Sequence, residues 1–310
     1  MEFENIAIIG AGAVGLFYGA KLQQEGFSVE YQSRSSATAL QKTPLDIKSI
    51  WGDFKLPVKA FESTTEMRPA DLVFLSCKAL PQIDYKNLIT PVLQKDSVIV
   101  VLQNGLNNDE KIHELFPSHH IIAASAFTCI SRTAANQVNH LDYGPITISP
   151  FEQSSNEVTE RVLSVIETSG TPCNIIPHHR SLRWEKLLWN IPFNSLSVAL
   201  GGVNTKDIMQ SSAIFSSISE LMNETLEIAR ADNVIISPER VERVIENTRE
   251  MEPYKTSMLI DYDLKNRMET EAILGEPLRT AQKYGVHTPV LKTVYNIMTF
   301  LNENNIQEKS

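Results

Sequence analysis

Cysteine is scarce: three in 310 residues. Cys77, Cys129 and Cys173 are far apart, odd in number and without a Cys-x-x-Cys pair, which argues against both a disulfide framework and a zinc site. No metal is expected, and a reducing, cytoplasmic setting fits. No apolar run reaches about 18 residues, the length a membrane helix needs. The start Met1-Glu2-Phe3-Glu4 lacks the positive region of a signal peptide. Positive charge is also short, with 28 Lys and Arg against 37 Asp and Glu, a net −9 and a pI near 5.4. That field repels nucleic acid and acidic membrane surfaces, so neither is an expected partner and local groups must hold any anionic ligand. There is no repeat and no low-complexity segment, only a polar tail over 302–310 that is expected to fray.

What is present is ordinary globular usage, 42% hydrophobic and 21% charged, in a chain about twice the usual domain length. The first part alternates short apolar runs with helix-like stretches, the pattern of a parallel sheet flanked by helices. Strands are predicted at 6–9, 28–32, 72–76, 98–102 and 121–124, with a hairpin of 137–140 and 145–149 about Tyr143-Gly144 and a last strand at 174–176. Beyond Ser181 long periodic segments dominate, at 182–200, 214–231, 238–248, 269–284 and 289–302, and predict helices. The fold class is therefore α/β, a doubly wound parallel Rossmann sheet over 1–177 followed by an all-α domain over 178–310.

Gly10-Ala11-Gly12-Ala13-Val14-Gly15 matches G-x-G-x-x-G, and here a strand runs into it and a helix follows. In that context the glycines permit a tight turn, close approach of a pyrophosphate to backbone, and close helix–strand packing, with the anion on the helix N-terminus. An acidic residue closing the second strand would bind the ribose of NAD. This chain offers Gln32-Ser33-Arg34-Ser35 instead, and a guanidinium suits the 2′-phosphate of NADP(H). Glu30, if it points into the site, would serve NAD. Lys78 and Asn104-Gly105 follow predicted strands at the edge where such sheets bind ligands, although a solvated lysine and a simple turn are the plainer readings of each alone. Lys186, Asn190 and Asn194, spaced i, i+4, i+8, lie within about 80° of one helical face. Leu187, Leu188, Ile191 and Phe193 make the helix largely buried, so this polar line needs partners, and Pro192 within it is expected to kink the axis. Ser257 and Glu269 are twelve residues apart, about 120° on one straight helix, so a bend is required if both are to reach one site.

Taken together, these motifs resemble the ketopantoate reductase (2-dehydropantoate 2-reductase) family over nearly the whole chain. The resemblance rests on the glycine-rich loop, Arg34, Cys77-Lys78-Ala79, Gln103-Asn104-Gly105, Lys186-x3-Asn190-x3-Asn194 and Ser257-Met258-Leu259-x-Asp261-x7-Glu269. It implies that Lys186 is the proton donor, that Asn190, Asn194, Asn204 and Ser257 contact substrate, and that Asn104, Lys78, Ser131 and Glu269 lie at the cofactor side. It also implies NADPH-dependent reduction of ketopantoate to pantoate, a precursor of coenzyme A. The alternatives are a D-2-hydroxyacid dehydrogenase of the same fold acting on another small 2-keto acid, or a non-catalytic NADP(H)-sensing protein. Where the family reads Thr-Glu-x-Asp-x-x-Asn-Gly, this chain has Met268-Glu269-Thr270-Glu271-Ala272-Ile273-Leu274-Gly275, which bears on the substrate more than on the reaction class. The sequence is silent on oligomeric state, a homodimer being the open option.

Overall fold

The computed structural model describes residues 3–307, the last without its side chain; of the tail expected to fray, 302–307 are instead helical, and 308–310 lie outside the described residues. The chain divides into two compact units. The first comprises the residues up to Lys78, Gln82–Gln103 and Asn108–Leu182, and the second comprises Ala79–Pro81, Asn104–Asn107 and the chain from Arg183 on.

The first unit is built on a sheet of ten strands among the described residues: β1 (Asn5–Ile9), β2 (Ser28–Gln32), β3 (Leu45–Ser49), β4 (Phe54–Leu56), β5 (Lys59–Phe61), β6 (Ala70–Leu75), β7 (Leu93–Val101), β8 (His120–Ala134), β9 (Gln137–Pro150) and β10 (Cys173–Ile175). Six of them run parallel in the order β5-β2-β1-β6-β7-β8. The order reverses between β1 and β6, the position where doubly wound sheets take ligands. Strand alternation divides the core between two clusters. Ile6, Ile8, Val98 and Val100 join one with Leu16 and Phe17, while Ala7, Ile9, Ile99 and Val101 join the other with Ile112 and Phe116.

Three short strands, β3, β4 and β5, were not foreseen, because three to five residues laced with Lys and Asp carry no periodic signal. The expected hairpin about Tyr143-Gly144 is corrected. The chain reverses at residues 135–136, and β9 continues through Tyr143-Gly144 as a bulge, with the β8 register shifting between Ala126 and Thr128. Tyr143 and Gly144 have φ of 59° and 124°, and the same left-handed preference marks bulges and turns alike.

In the second unit the main helices are α6 (His179–Ala199), α8 (Ser212–Ala231) and α12 (Pro289–Gln307), numbered after α1 (Ala13–Gln24), α2 (Ala37–Lys42), α3 (Tyr85–Ile89), α4 (Asn108–Leu115) and α5 (Asn156–Thr168). Between them lie α7 (Thr205–Gln210), α9 (Pro238–Glu250), α10 (Ser257–Asp263) and α11 (Glu276–Tyr284). Ile218, Leu221, Met222 and Ile228 of α8 recur at helical spacing and pack into one core with Leu187, Leu188, Ile191, Leu291, Val294 and Met298. No helix among the described residues is long and apolar enough to cross a membrane.

Candidate active site

In the first unit, β1 delivers the chain into the glycine-rich loop at the sheet's switch point. Gly10 has φ +90°, and a Cβ there would stand 2.3 Å from the Cys77 backbone. A Cβ on Gly15 would meet Ser76 Oγ at 2.4 Å, so α1 lies against the start of the loop after β6. A Cβ on Gly12, by contrast, would meet only the Gly10 carbonyl, at 4.0 Å. Gly12 caps α1 without a side chain, and the amides of Ala13 and Val14 have no protein acceptor among the described residues. The loop thus presents unpaired N–H groups, open space and a helix N-terminus together, which fits a dinucleotide pyrophosphate.

Side chains hold that loop from three directions. The Gly10 amide donates to Gln32 Oε1 (3.2 Å), and Gln32 Nε2 donates to the Glu62 carbonyl (3.0 Å). Ser76 Oγ donates to the carbonyls of Ile9 (3.2 Å) and Gly10 (3.0 Å). Arg132 Nη1 donates to the Ala11 carbonyl (3.0 Å). Of Gln32-Ser33-Arg34-Ser35, only Arg34 and Ser35 are exposed. Gln32 is taken up by the loop and Ser33 by Ser36 (Oγ to Oγ 2.9 Å). Arg34 makes no hydrogen bond or ion pair among the described residues. Glu30, the competing carboxylate, is 5% exposed and is occupied elsewhere. It accepts from the Arg68 amide (2.9 Å) and from Arg68 Nε (2.6 Å), and Arg68 also donates to Ser28 Oγ (2.7 Å). Lys78 follows the Cys77 that abuts Gly10, and Ser131 is half-buried on β8 with a hydroxyl that makes no hydrogen bond among the described residues, its neighbour Arg132 being the residue that reaches the loop.

In the second unit, Lys186, Asn190 and Asn194 lie on α6, which runs without interruption through Pro192. Lys186 is half-buried. Asn190 and Asn194 are 3% and 1% exposed, yet Nδ2 of the first and Oδ1 of the second have no hydrogen-bond partner among the described residues. A buried donor and a buried acceptor left unpaired cost on the order of 1–3 kcal/mol each, so such atoms call for a ligand or water. Ser257 opens α10 and its hydroxyl makes no hydrogen bond among the described residues. Asn204 is differently employed: it caps α7, its Oδ1 accepting from the amides of Lys206 (2.9 Å) and Asp207 (3.1 Å).

Ser257 and Glu269 do not share one helix. α10 ends at Asp263, Lys265 takes φ 55°, and the chain re-enters a helix through a π turn at Glu271–Gly275. There the Glu276 amide returns to the Glu271 carbonyl, five residues back. The Ala272 carbonyl would need residue 277 in that pattern, but Pro277 has no N–H. The Leu106 amide supplies the bond instead (2.9 Å), and Gly105, at φ +100°, lies so close that a Cβ would be 2.5 Å from Ala272 Cβ. The segment bearing Asn104 is thereby seated on the π turn. Glu269, 4% exposed, accepts from the Ala79 amide (2.8 Å). Glu271, which stands where the family has Asp, accepts from Arg279 (2.9 Å) and from the Tyr295 hydroxyl (2.6 Å). Burial and that carboxylate push the Tyr295 hydroxyl pKa up. Leu274 is wholly buried in the helical core.

Arg68, Ser76 and Arg132 were missed as parts of the site, and Gln32 was read only as a neutral strand end rather than as a clamp on the loop. Arg132 is the only Lys, Arg, Asp or Glu in β8, a weak signal, and Pro277 inside a predicted helix was a direct sign of irregular backbone.

Profiles of the ketopantoate reductase PanE/ApbA family match residues 6–153, and those of its C-terminal part match residues 178–302. The chain belongs to the ketopantoate reductase family. It is 34% identical to a 2-dehydropantoate 2-reductase of Nostoc sp., over 98% of this chain and 97% of that protein. The crystal structure of 2-dehydropantoate 2-reductase from Geobacter metallireducens superposes with a TM-score of 0.91 at 33% identity, covering 96% and 99% of the two chains. A D-mandelate dehydrogenase bound to NADH and anilino(oxo)acetate has a TM-score of 0.89 at 20% identity over 97% and 99% of the chains, and shares the fold. The protein is thus an oxidoreductase of the ketopantoate reductase family with a Rossmann sheet and a helical C-terminal region.

Proposed function

We propose that this ketopantoate reductase family member uses NADPH to reduce 2-dehydropantoate to pantoate, the reaction that feeds pantothenate and coenzyme A synthesis. The observation that carries the substrate class is the pair of buried, unpaired amide atoms on α6, Nδ2 of Asn190 and Oδ1 of Asn194. One can donate and the other accept, which is what a substrate hydroxyl requires. For the cofactor, the glycine-rich loop would take the pyrophosphate and Arg34 the 2′-phosphate, while Arg68 keeps Glu30 from competing. Bound NADPH supplies the hydride. Lys186 holds the proton for the carbonyl oxygen and its ammonium stabilises negative charge developing there, work worth about 10²–10⁴ in rate. Asn190, Asn194 and Ser257 orient the keto acid.

The test is steady-state kinetics with NADPH on ketopantoate, 2-ketoisovalerate, pyruvate and benzoylformate, for the wild type and Lys186→Ala. Ketopantoate should lead in kcat/KM, by up to about 10⁴ over 2-ketoisovalerate, which lacks the hydroxyl. Lys186→Ala should lose about 10² or more in kcat. Equal rates on 2-ketoisovalerate or benzoylformate would replace this substrate with another 2-keto acid.

A further inference from the structure

Arg132 sits beside the glycine-rich loop with no carboxylate paired to it among the described residues. Its guanidinium is spent on main-chain carbonyls: Nη1 on Ala11 (3.0 Å), Nε on Ala134 (3.3 Å) and Nη2 on Ala135. No ion pair reaches it among the described residues, although partial burial disfavours its charged form and pushes its pKa down. Arg180 of the same unit, also half-buried, is by contrast paired with Glu110 (2.8 Å). A partly desolvated cation lacking a counter-ion, beside a loop with unpaired amides, is a site prepared for an anion.

The contact with Ala11 has a second consequence. The Ala11 amide donates to the Gln32 carbonyl (2.8 Å) and its own carbonyl accepts from Arg132, so both polar groups of this residue are held. Because a peptide is planar, anchoring the Ala11 carbonyl orients the Ala11–Gly12 peptide, and with it the cap of α1 and the amides of Ala13 and Val14.

We propose that Arg132 is a positioning residue of the nucleotide site, setting the glycine-rich loop through the Ala11 carbonyl and supplying the counter-charge for the dinucleotide's diphosphate. This rests on the reading that the loop binds a nicotinamide dinucleotide. The diphosphate is common to NADPH and NADH, whereas the 2′-phosphate assigned to Arg34 is not, so the two arginines are separable.

The experiment is direct calorimetric titration of the protein with NADPH and with NADH, without keto acid, at two salt concentrations, for wild type, Arg132→Gln, Arg132→Lys and Arg34→Ala. Glutamine keeps a donor for the Ala11 carbonyl but loses the charge, and lysine keeps the charge. Arg132→Gln should weaken both dinucleotides by a similar factor of about tenfold or more and flatten the salt dependence. Arg132→Lys, which keeps the charge but not the three-point fork, should lose less than Arg132→Gln and lose it equally for both dinucleotides, and Arg34→Ala should weaken NADPH alone. Wild-type affinity in Arg132→Gln overturns the proposal, and so does a loss confined to NADPH. Should Arg132→Gln fail to fold, wild-type affinity in folded Arg132→Lys or a loss there confined to NADPH overturns it equally. If the wild type binds neither dinucleotide, the functional reading falls and this inference with it.

Discussion

Arg34 and Glu30 show how little a residue's type says until its partners are known. Both lie on or just beyond β2, and each is a plausible ligand for one form of the cofactor's ribose. Arg34 is exposed and unpaired among the described residues, whereas Glu30 is buried under a two-point contact from Arg68. A charge-assisted hydrogen bond contributes about 1.5–3 kcal/mol, so Arg34→Ala should lower kcat/KM with NADPH about 10- to 100-fold. Its kcat/KM with NADH should stay within about twofold of wild type. Parallel kinetics with the two cofactors measures this, and an equal loss with both would remove Arg34 from the 2′-phosphate. Gln32 carries the opposite lesson: grouped with Arg34 by sequence as a neutral strand end, it is a buried clamp on Gly10 and Glu62.

Among elements, the π turn at Glu271–Gly275 organises the most. Just past it Pro277 cannot donate to Ala272, which leaves a carbonyl that the Leu106 amide takes up. The Asn104 segment therefore depends on two local peculiarities in distant parts of the sequence. Gly105→Ala should disturb both, since its φ of +100° disfavours any Cβ and that Cβ would stand 2.5 Å from Ala272. Left-handed strain and overpacking each cost about 1–3 kcal/mol, so urea unfolding should show a loss of about 2–5 kcal/mol. A loss below about 0.5 kcal/mol would mean that the segment is not seated on the turn. The helix over 269–284 was legible from its period, but its irregular start was not read from Pro277.

For the molecule as a whole, stability should depend on pH through two groups in the first unit. His140, with Nδ1 on Ser49 Oγ (2.8 Å) and Nε2 on the Tyr143 carbonyl (2.8 Å), packs against Phe17 and Trp51. Burial holds its pKa below the ordinary 6.5. The unfolded chain then binds the extra proton first, so this contribution is full above about pH 6.5 and is lost as pH falls toward the lowered value. Burial works to raise the Glu110 pKa, but the bond from His179 and the charge of Arg180 outweigh it and bring it from 4.5 down to about 2. Its contribution is present above pH 4.5 and lost between there and about 2. Urea unfolding against pH should therefore be flat near neutrality and fall in two windows, and His140→Asn should abolish the first. A curve for His140→Asn that still parallels wild type below pH 6.5 would rule His140 out as its source.

By itself the sequence determined what periodicity and spacing encode. Ile6–Ile9 before G-x-G-x-x-G, the apolar runs of the parallel strands and the helical repeat beyond Ser181 are local patterns, and local backbone geometry suffices to read them. The lysine–asparagine line of α6 was legible for the same reason, because four-residue spacing on a helix is itself a statement of shared face. Only the tertiary structure decided that Asn190 and Asn194 are buried without partners, that Arg68 removes Glu30 from contention, that Asn204 caps α7, and that Arg132 reaches Ala11 from 121 residues away. Each of these depends on which atoms meet across long stretches of chain, and hydrogen-bond partnership and desolvation are properties of that meeting rather than of the residues taken one at a time.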